Sequence, residues 1–150
     1  MSFDETLVFI HPKLKYCSIN SNFPWIDSKV QLPDQGSQTS SERALQGQSP
    51  YVINLTLCYD NGNNGIISVL TFYQSGQHIS EVGNNGIPDV YEMPKSQLDL
   101  SFSWRLGSNI KIGFSAKNLL NQDVVFKQGG QSYLKYNLGR SFSINLGYSL

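Results

Sequence analysis

The chain has 150 residues, enough for one ordinary domain, with 39% hydrophobic and 15% charged residues, which is too apolar for a disordered chain and poor in charge for a soluble surface. Eleven basic residues balance eleven acidic ones and lie scattered, so no patch exists to neutralise a row of nucleic-acid phosphates, and nucleic acid is not an expected partner. No run approaches the roughly 20 apolar residues of a membrane-spanning helix.

The amino terminus, Met1-Ser2-Phe3-Asp4-Glu5, shows no basic start followed by an apolar core, so no secretory leader is visible. A protein working outside the cytoplasm is therefore expected to begin further upstream. Residues Thr6 to Ile10 read as the end of a strand. Leu14 to Leu32 read as the next, with Cys17, Ile19, Phe23 and Trp25 on one side, although Pro24 removes one ladder donor. Residues 33 to 50 form a long polar connection.

Tyr51, Ile53, Leu55, Leu57 and Tyr59 then alternate with Val52, Asn54, Thr56 and Cys58, the period of a half-buried strand. A glycine- and asparagine-rich turn, 60 to 65, leads into a strand over Ile66 to Gln74, and residues 77 to 94 make a second long polar connection. Leu98, Leu100, Phe102 and Trp104 interleave with Gln97, Asp99, Ser101, Ser103 and Arg105; on a strand these four apolar residues share one face, whereas a helix would scatter them. After the tight connection 106 to 109, Ile110, Ile112, Phe114 and Ala116 alternate with Lys111, Gly113, Ser115 and Lys117, which makes a hairpin.

A third polar connection spans 121 to 132. The last segment, Leu134 to Leu150, keeps Tyr136, Arg140, Phe142, Ile144, Leu146 and Tyr148 on one parity, against small polar residues that include Asn145. The fold class is thus all-β: about six antiparallel strands and a partial seventh, joined as an up-and-down meander. Long connections at one end and tight turns at the other are the asymmetry of outer-membrane barrels.

A soluble sandwich alternates too, so the other face and the strand ends discriminate. Tyr136 and Tyr148 stand roughly 40 Å apart along one strand, or about 28 Å in height at a 45° tilt, which suits an apolar band bounded by aromatic girdles. The reading places Leu98, Leu100, Phe102, Trp104, Ile110, Ile112, Phe114, Phe142, Ile144 and Leu146 against lipid. It places Asp99, Arg105, Lys111, Lys117 and Asn145 toward a wet lumen, because these would be costly in a dry core. Arg140, on the lipid parity, is expected to snorkel to headgroups. Cys17 and Cys58 are expected near each other in height but on opposite faces, without a bridge.

Several segments resemble the carboxy-terminal barrel of TonB-dependent receptors: Asp27-Ser28-Lys29-Val30, then Arg43-Ala44-Leu45-Gln46-Gly47-Gln48-Ser49-Pro50-Tyr51-Val52-Ile53-Asn54. Tyr91-Glu92-Met93-Pro94 before Leu98-Asp99-Leu100, Asn118-Leu119-Leu120-Asn121, and Gly139-Arg140-Ser141-Phe142 follow in the same order. The resemblance implies a transmembrane segment of a 22-stranded barrel in the cell outer membrane, taking up siderophores, vitamins or glycans. Implied partners are outer-membrane lipid, the remaining barrel strands and plug, and TonB through segments absent here. It also implies that Tyr148 and Leu150 belong to a carboxy-terminal insertion signal read by the barrel insertion machinery. With no plug and too few strands to close, the chain is expected to be a fragment not competent for transport alone.

The alternative is a small soluble or self-closed barrel that binds an apolar ligand, with the inner and outer faces exchanged. Leu100 and Ser101 would then trade places. A membrane enzyme is a third reading, and no catalytic cluster supports it. His11 and His78 lack a second ligand at metal spacing and read as surface residues. Glu81, Asp89 and Glu92 read as one solvated loop, and Gly-Asn-Asn-Gly at 62 to 65 and at 83 to 86 as turn chemistry. No metal, cofactor or catalytic residue is expected.

Overall fold

A computed structural model describes residues 2–31, 39 and 42–149 of the chain. It is all-β, with three single turns of 3-10 helix. The strands are β1 Ser2–Thr6, β2 Cys17–Asn22, β3 Val30–Gln31, β4 Glu42–Arg43, β5 Val52–Asn61, β6 Ile66–Ser75 and β7 His78–Glu81. They continue as β8 Val90–Glu92, β9 Lys95–Leu106, β10 Ile110–Lys117, β11 Val124–Gln128, β12 Gln131–Tyr136 and β13 Ser141–Tyr148.

Seven of them form one antiparallel sheet in the order β1-β2-β5-β6-β9-β10-β13. Each neighbour in that order is the next long strand of the meander, so the up-and-down topology stands, and the sheet does not close on itself. The first strand differs from expectation. Pairing ends at Thr6, and Leu7–Phe9 coil into a 3-10 turn. Pro24 lies just beyond β2, where its carbonyl still accepts the amide of Val52 at 3.2 Å; a proline can accept there although it cannot donate.

The two tight turns need left-handed backbone. Gly62–Asn64 make a helical turn that closes on Gly65 at φ 65°, and Gly107 turns β9 into β10 at φ 63°. Only glycine enters that region without steric penalty.

At the other end two of the long connections are not irregular loops. Residues 77 to 94 and 121 to 132 contain β7, β8, β11 and the start of β12, which pair as a second antiparallel sheet in the order β12-β11-β8-β7. That order repeats β13-β10-β9-β6, so four strands continue past a kink. The last segment is correspondingly broken: residues 137 to 140 interrupt it, with Gly139 at φ 74° and its amide bonded to the Asn137 side-chain carbonyl at 2.6 Å. A side chain that mimics a backbone turn overrides the alternation on either side. Tyr136 and Tyr148 therefore stand on different strands. Arg140 falls in the break, where its Nε donates to the Leu119 carbonyl at 2.9 Å instead of following the apolar parity.

Little of the chain is buried. Ile79, Val90, Ala116 and Val124 are the only buried apolar residues among those described, three of them in the second sheet. The accessible surface is 10174 Å², against roughly 7,600 Å² for a folded soluble monomer of this mass. The sheet encloses no core.

Candidate membrane-facing surface

Residues directly opposite in an antiparallel ladder point to the same side, so the register fixes which side chains share a face. One row runs Ile19, Leu57, Leu70, Leu100, Ala116, Phe142 across six strands. The next row toward the tight turns holds Cys17, Tyr59, Ser68, Phe102, Phe114 and Ile144, and the one after it Asn61, Ile66, Trp104, Ile112 and Leu146. All ten residues read from sequence as lipid-facing lie on this one face, Leu98 opposite Phe72 and Ile110 opposite Tyr148.

The reverse face is made of different material. Its rows are Ser18, Cys58, Val69, Ser101, Ser115, Ser143; then Asp60, Ile67, Ser103, Gly113, Asn145; and, at the turn end, Arg105, Lys111, Gly147. Ser115 and Ser143 share a hydrogen bond of 2.7 Å across β10 and β13. Arg105 and Lys111 stand directly opposite each other and are both exposed; like charges in that position are tolerable only when both heads reach water.

Charge separates the faces most sharply. Among the described residues of the main sheet, the apolar face carries Glu5 alone, on the edge strand β1, whereas the reverse face carries Asp60, Lys95, Asp99, Arg105, Lys111 and Lys117. Cys17 and Cys58 occupy adjacent strands on opposite faces, Cys17 opposite Tyr59 and Cys58 opposite Ser18, and both thiols are free.

The apolar face lies open. Phe142, Ile144 and Leu146 are 63%, 77% and 78% exposed, and Leu55, Leu57, Trp104 and Ile110 are exposed as well. Nothing is sealed between two layers, as a soluble barrel holding an apolar ligand would require. Ser101 is exposed too, so both faces of this wall are accessible.

Aromatic rings gather at both ends of the open face. Tyr59 packs edge-on against Tyr16 with ring centroids 6.2 Å apart, and Trp104 and Tyr148 lie level with the turns. At the far end Trp25 stacks on Tyr51 at 6.3 Å and 16° between planes, with Phe23 alongside. From Tyr51 to Tyr59 is eight residues, roughly 27 Å along a strand, or about 19–22 Å of height at the 35–45° tilt of membrane barrels, near their ~25 Å apolar band. Strands β5, β6 and β9 have 10, 10 and 12 residues, close to the ~9–11 that cross a bilayer.

Of the residues read as lumen-facing, Arg105, Lys111, Lys117 and Asn145 are exposed. Asp99 differs. Its half-buried carboxylate accepts the Gln97 amide at 2.9 Å and the backbone N–H of Asn118 at 2.9 Å, so it serves the kink between β10 and β11. Tyr148 pairs with Ile110 at the turn end, while Leu150 and residues 32–38, 40 and 41 lie outside the described residues. His78 is not the surface residue expected: its side chain is 17% exposed and its Nε2 lies 3.5 Å from Glu92 Oε2. Fourteen positions separate them in the chain, so no short-range spacing could have shown the pair; the β7–β8 register makes it.

No family model, no curated protein and no solved structure matches this chain.

Proposed function

We propose that the open apolar face meets hydrocarbon, and that the chain is a section of the wall of an outer-membrane β-barrel of the TonB-dependent receptor type. In that setting its polar face lines a hydrated lumen, and the second sheet projects beyond the bilayer. The observation that carries this reading is the charge division: one charged residue on the apolar side, at an edge, against Asp60, Lys95, Asp99, Arg105, Lys111 and Lys117 on the other. Hydrocarbon makes a charge on the lipid side costly and leaves the lumen side free.

The outer edge of β13 has no strand beside it among the described residues. Unpaired backbone groups are not tolerated in lipid, so the remaining barrel strands are the partners this wall needs, and the resemblance adds a plug inside them. The resemblance to TonB-dependent receptors supplies the functional content: uptake of scarce ligands across the outer membrane, with TonB engaged by other segments and the strand ending at Tyr148 handled by the insertion machinery. The chain acts as structure and has no catalytic task.

Tryptophan fluorescence tests the reading. In a Trp25→Phe variant reconstituted in vesicles, Trp104 is the sole indole. Lipids brominated along the acyl chain are expected to quench it, and aqueous iodide to leave it largely unaffected. Quenching by iodide with none from the brominated lipid would refute the membrane assignment.

A further inference from the structure

We propose that a cavity in the second sheet binds a small zwitterion, a free α-amino acid. The cavity, about 220 Å³, lies between segment 42–50 and strands β7 and β8. Arg43, Gln48 and Glu42 line it from the segment, His78 and Asp89 from the sheet, and Asp27 beside them; Glu42 is held by Lys29 at 3.1 Å. Its volume equals roughly seven waters at ~30 Å³ each, room for one small molecule.

The wall is built by backbone bonds. Gly47 donates its amide to the Ile79 carbonyl at 2.8 Å, and the Gln46 side chain donates to the Ser80 carbonyl at 2.8 Å. Pro50 accepts the amide of Ile26 at 2.9 Å. The bonds to Ile79 and Ser80 also cover the free edge of β7, as an exposed sheet edge requires.

Within this frame the polar groups are left without partners. Arg43 Nη1, Gln48 Oε1 and His78 Nδ1 are buried and make no hydrogen bond; only Asn61 Oδ1, at the other end of the main sheet, shares that condition among the described residues. Folded proteins pair nearly all such atoms, because each one left over costs about 1–3 kcal/mol. Three in the walls of one cavity mark a place where a partner belongs.

The character of the groups selects the partner. Arg43 is a cation with no ion pair among the described residues. Asp89 is a carboxylate, 7% exposed, whose Oδ1 accepts the Gly83 amide at 2.7 Å and which forms no ion pair among the described residues. His78 faces Glu92 through Nε2, so in the neutral ring Nε2 carries the proton and Nδ1 is an acceptor. One cation, Arg43, therefore shares the cavity with the carboxylates of Asp27 and Asp89 and two unmet acceptors, Nδ1 and Gln48 Oε1. An α-carboxylate answers Arg43, and an α-ammonium answers the carboxylates and the acceptors. A simple anion would face those carboxylates and leave the acceptors unmet, and a neutral sugar would leave the charges uncompensated.

The site does not depend on the lipid assignment, since its residues lie in β7, β8 and the segments beside them, outside the main sheet. Saturation-transfer NMR and titration calorimetry on the folded full chain in detergent micelles, with L-alanine, acetate, methylammonium and glucose as probes, test it. L-alanine is expected to bind, and the other three, at equal concentration, are not. Arg43→Gln is expected to weaken L-alanine binding at least about tenfold and Arg43→Lys to restore part of it. Gln48→Met, which removes an acceptor and leaves the sheet untouched, is expected to weaken it several-fold. Far-UV circular dichroism verifies that each variant is folded. Failure of L-alanine to bind the wild-type chain, equal binding of glucose or acetate, or wild-type affinity in both Arg43→Gln and Gln48→Met overturns the proposal.

Discussion

The carboxylate of Asp99 on β9 holds the backbone N–H of Asn118 at 2.9 Å, nineteen positions later in the chain. Asn118 has φ 56°, a left-handed conformation that asparagine tolerates better than other non-glycine residues. The residue also ties the kink to the last strand, its side-chain amide donating to the Gly139 carbonyl at 2.6 Å. Asp99 is thus a positioning group for the bend at which the main sheet gives way to the second.

Removing it should loosen that bend. Asp99→Ala is expected to lower stability by about 1–3 kcal/mol, the usual loss when a charge-assisted bond to a half-buried donor is deleted. Urea unfolding reads the loss, and amide exchange localises it, with Asn118 and Leu119 exchanging faster while Leu70 and Phe102 stay protected. Uniform loss of protection across the sheet would show that the carboxylate supports more than the kink.

The two tight turns offer a paired test. Gly65 and Gly107 have nearly equal positive φ, 65° and 63°, but a Cβ on Gly65 would meet the Arg105 carbonyl oxygen at 2.8 Å, whereas one on Gly107 meets nothing within 4 Å. Both alanine variants lose about 1–2 kcal/mol for the left-handed backbone. Gly65→Ala should lose more, because Arg105 donates its amide to the Gly65 carbonyl at 2.8 Å and cannot retreat without breaking that bond. Equal destabilisation in urea would mean that the clash relaxes freely.

The β11–β12 hairpin carries a pH dependence of known sign. Asp123 is held below its usual 3.8, first by the hydrogen bond from Lys135, then by that from Asn137, at 2.8 Å each. A carboxyl depressed in the folded state contributes stability that is complete above its unfolded value and is lost as pH falls through its folded one. Amide protection in the hairpin, taken relative to the intrinsic exchange rate at each pH, should therefore fall between about pH 5 and pH 2, and Asp123→Asn should flatten that acid limb. Salt should weaken the wild-type effect, because the pair is exposed.

How much of this was legible depends on range. The faces of β9 and β10 were, because Leu98 to Trp104 and Ile110 to Ala116 alternate strictly, and a one-residue slip would turn every ring to the wrong side. The second sheet was not. His78–Glu81 and Val90–Glu92 are short and polar, and β8 pairs with β11 through contacts such as Glu92 to Phe126, which no local pattern encodes. The cavity is further out of reach, since Arg43, His78 and Asp89 meet only after segment 42–50 folds over β7. The break at 137–140 had one visible cue, Asn137 two residues before Gly139, masked by the unbroken alternation around it.

Neighbouring residues on β5 test the orientation of the wall most directly. Leu57 stands in the apolar row between Ile19 and Leu70, and Thr56, on the reverse face, lies between Asn20 and Thr71. Both sit on a central strand, so a lysine at either position keeps the same backbone pairing and differs only in what surrounds the ammonium. In a bilayer, Leu57→Lys is expected to lower stability by about 1–3 kcal/mol, between the penalties for lysine at the midplane and at the interface of a barrel wall, and Thr56→Lys by no more than ~1 kcal/mol. In water the order would invert or vanish, because Leu57 is 41% exposed and its replacement by a charged residue would meet only solvent. Urea unfolding of both variants from vesicles supplies the comparison, and a Leu57→Lys chain as stable as Thr56→Lys would place the hydrocarbon elsewhere.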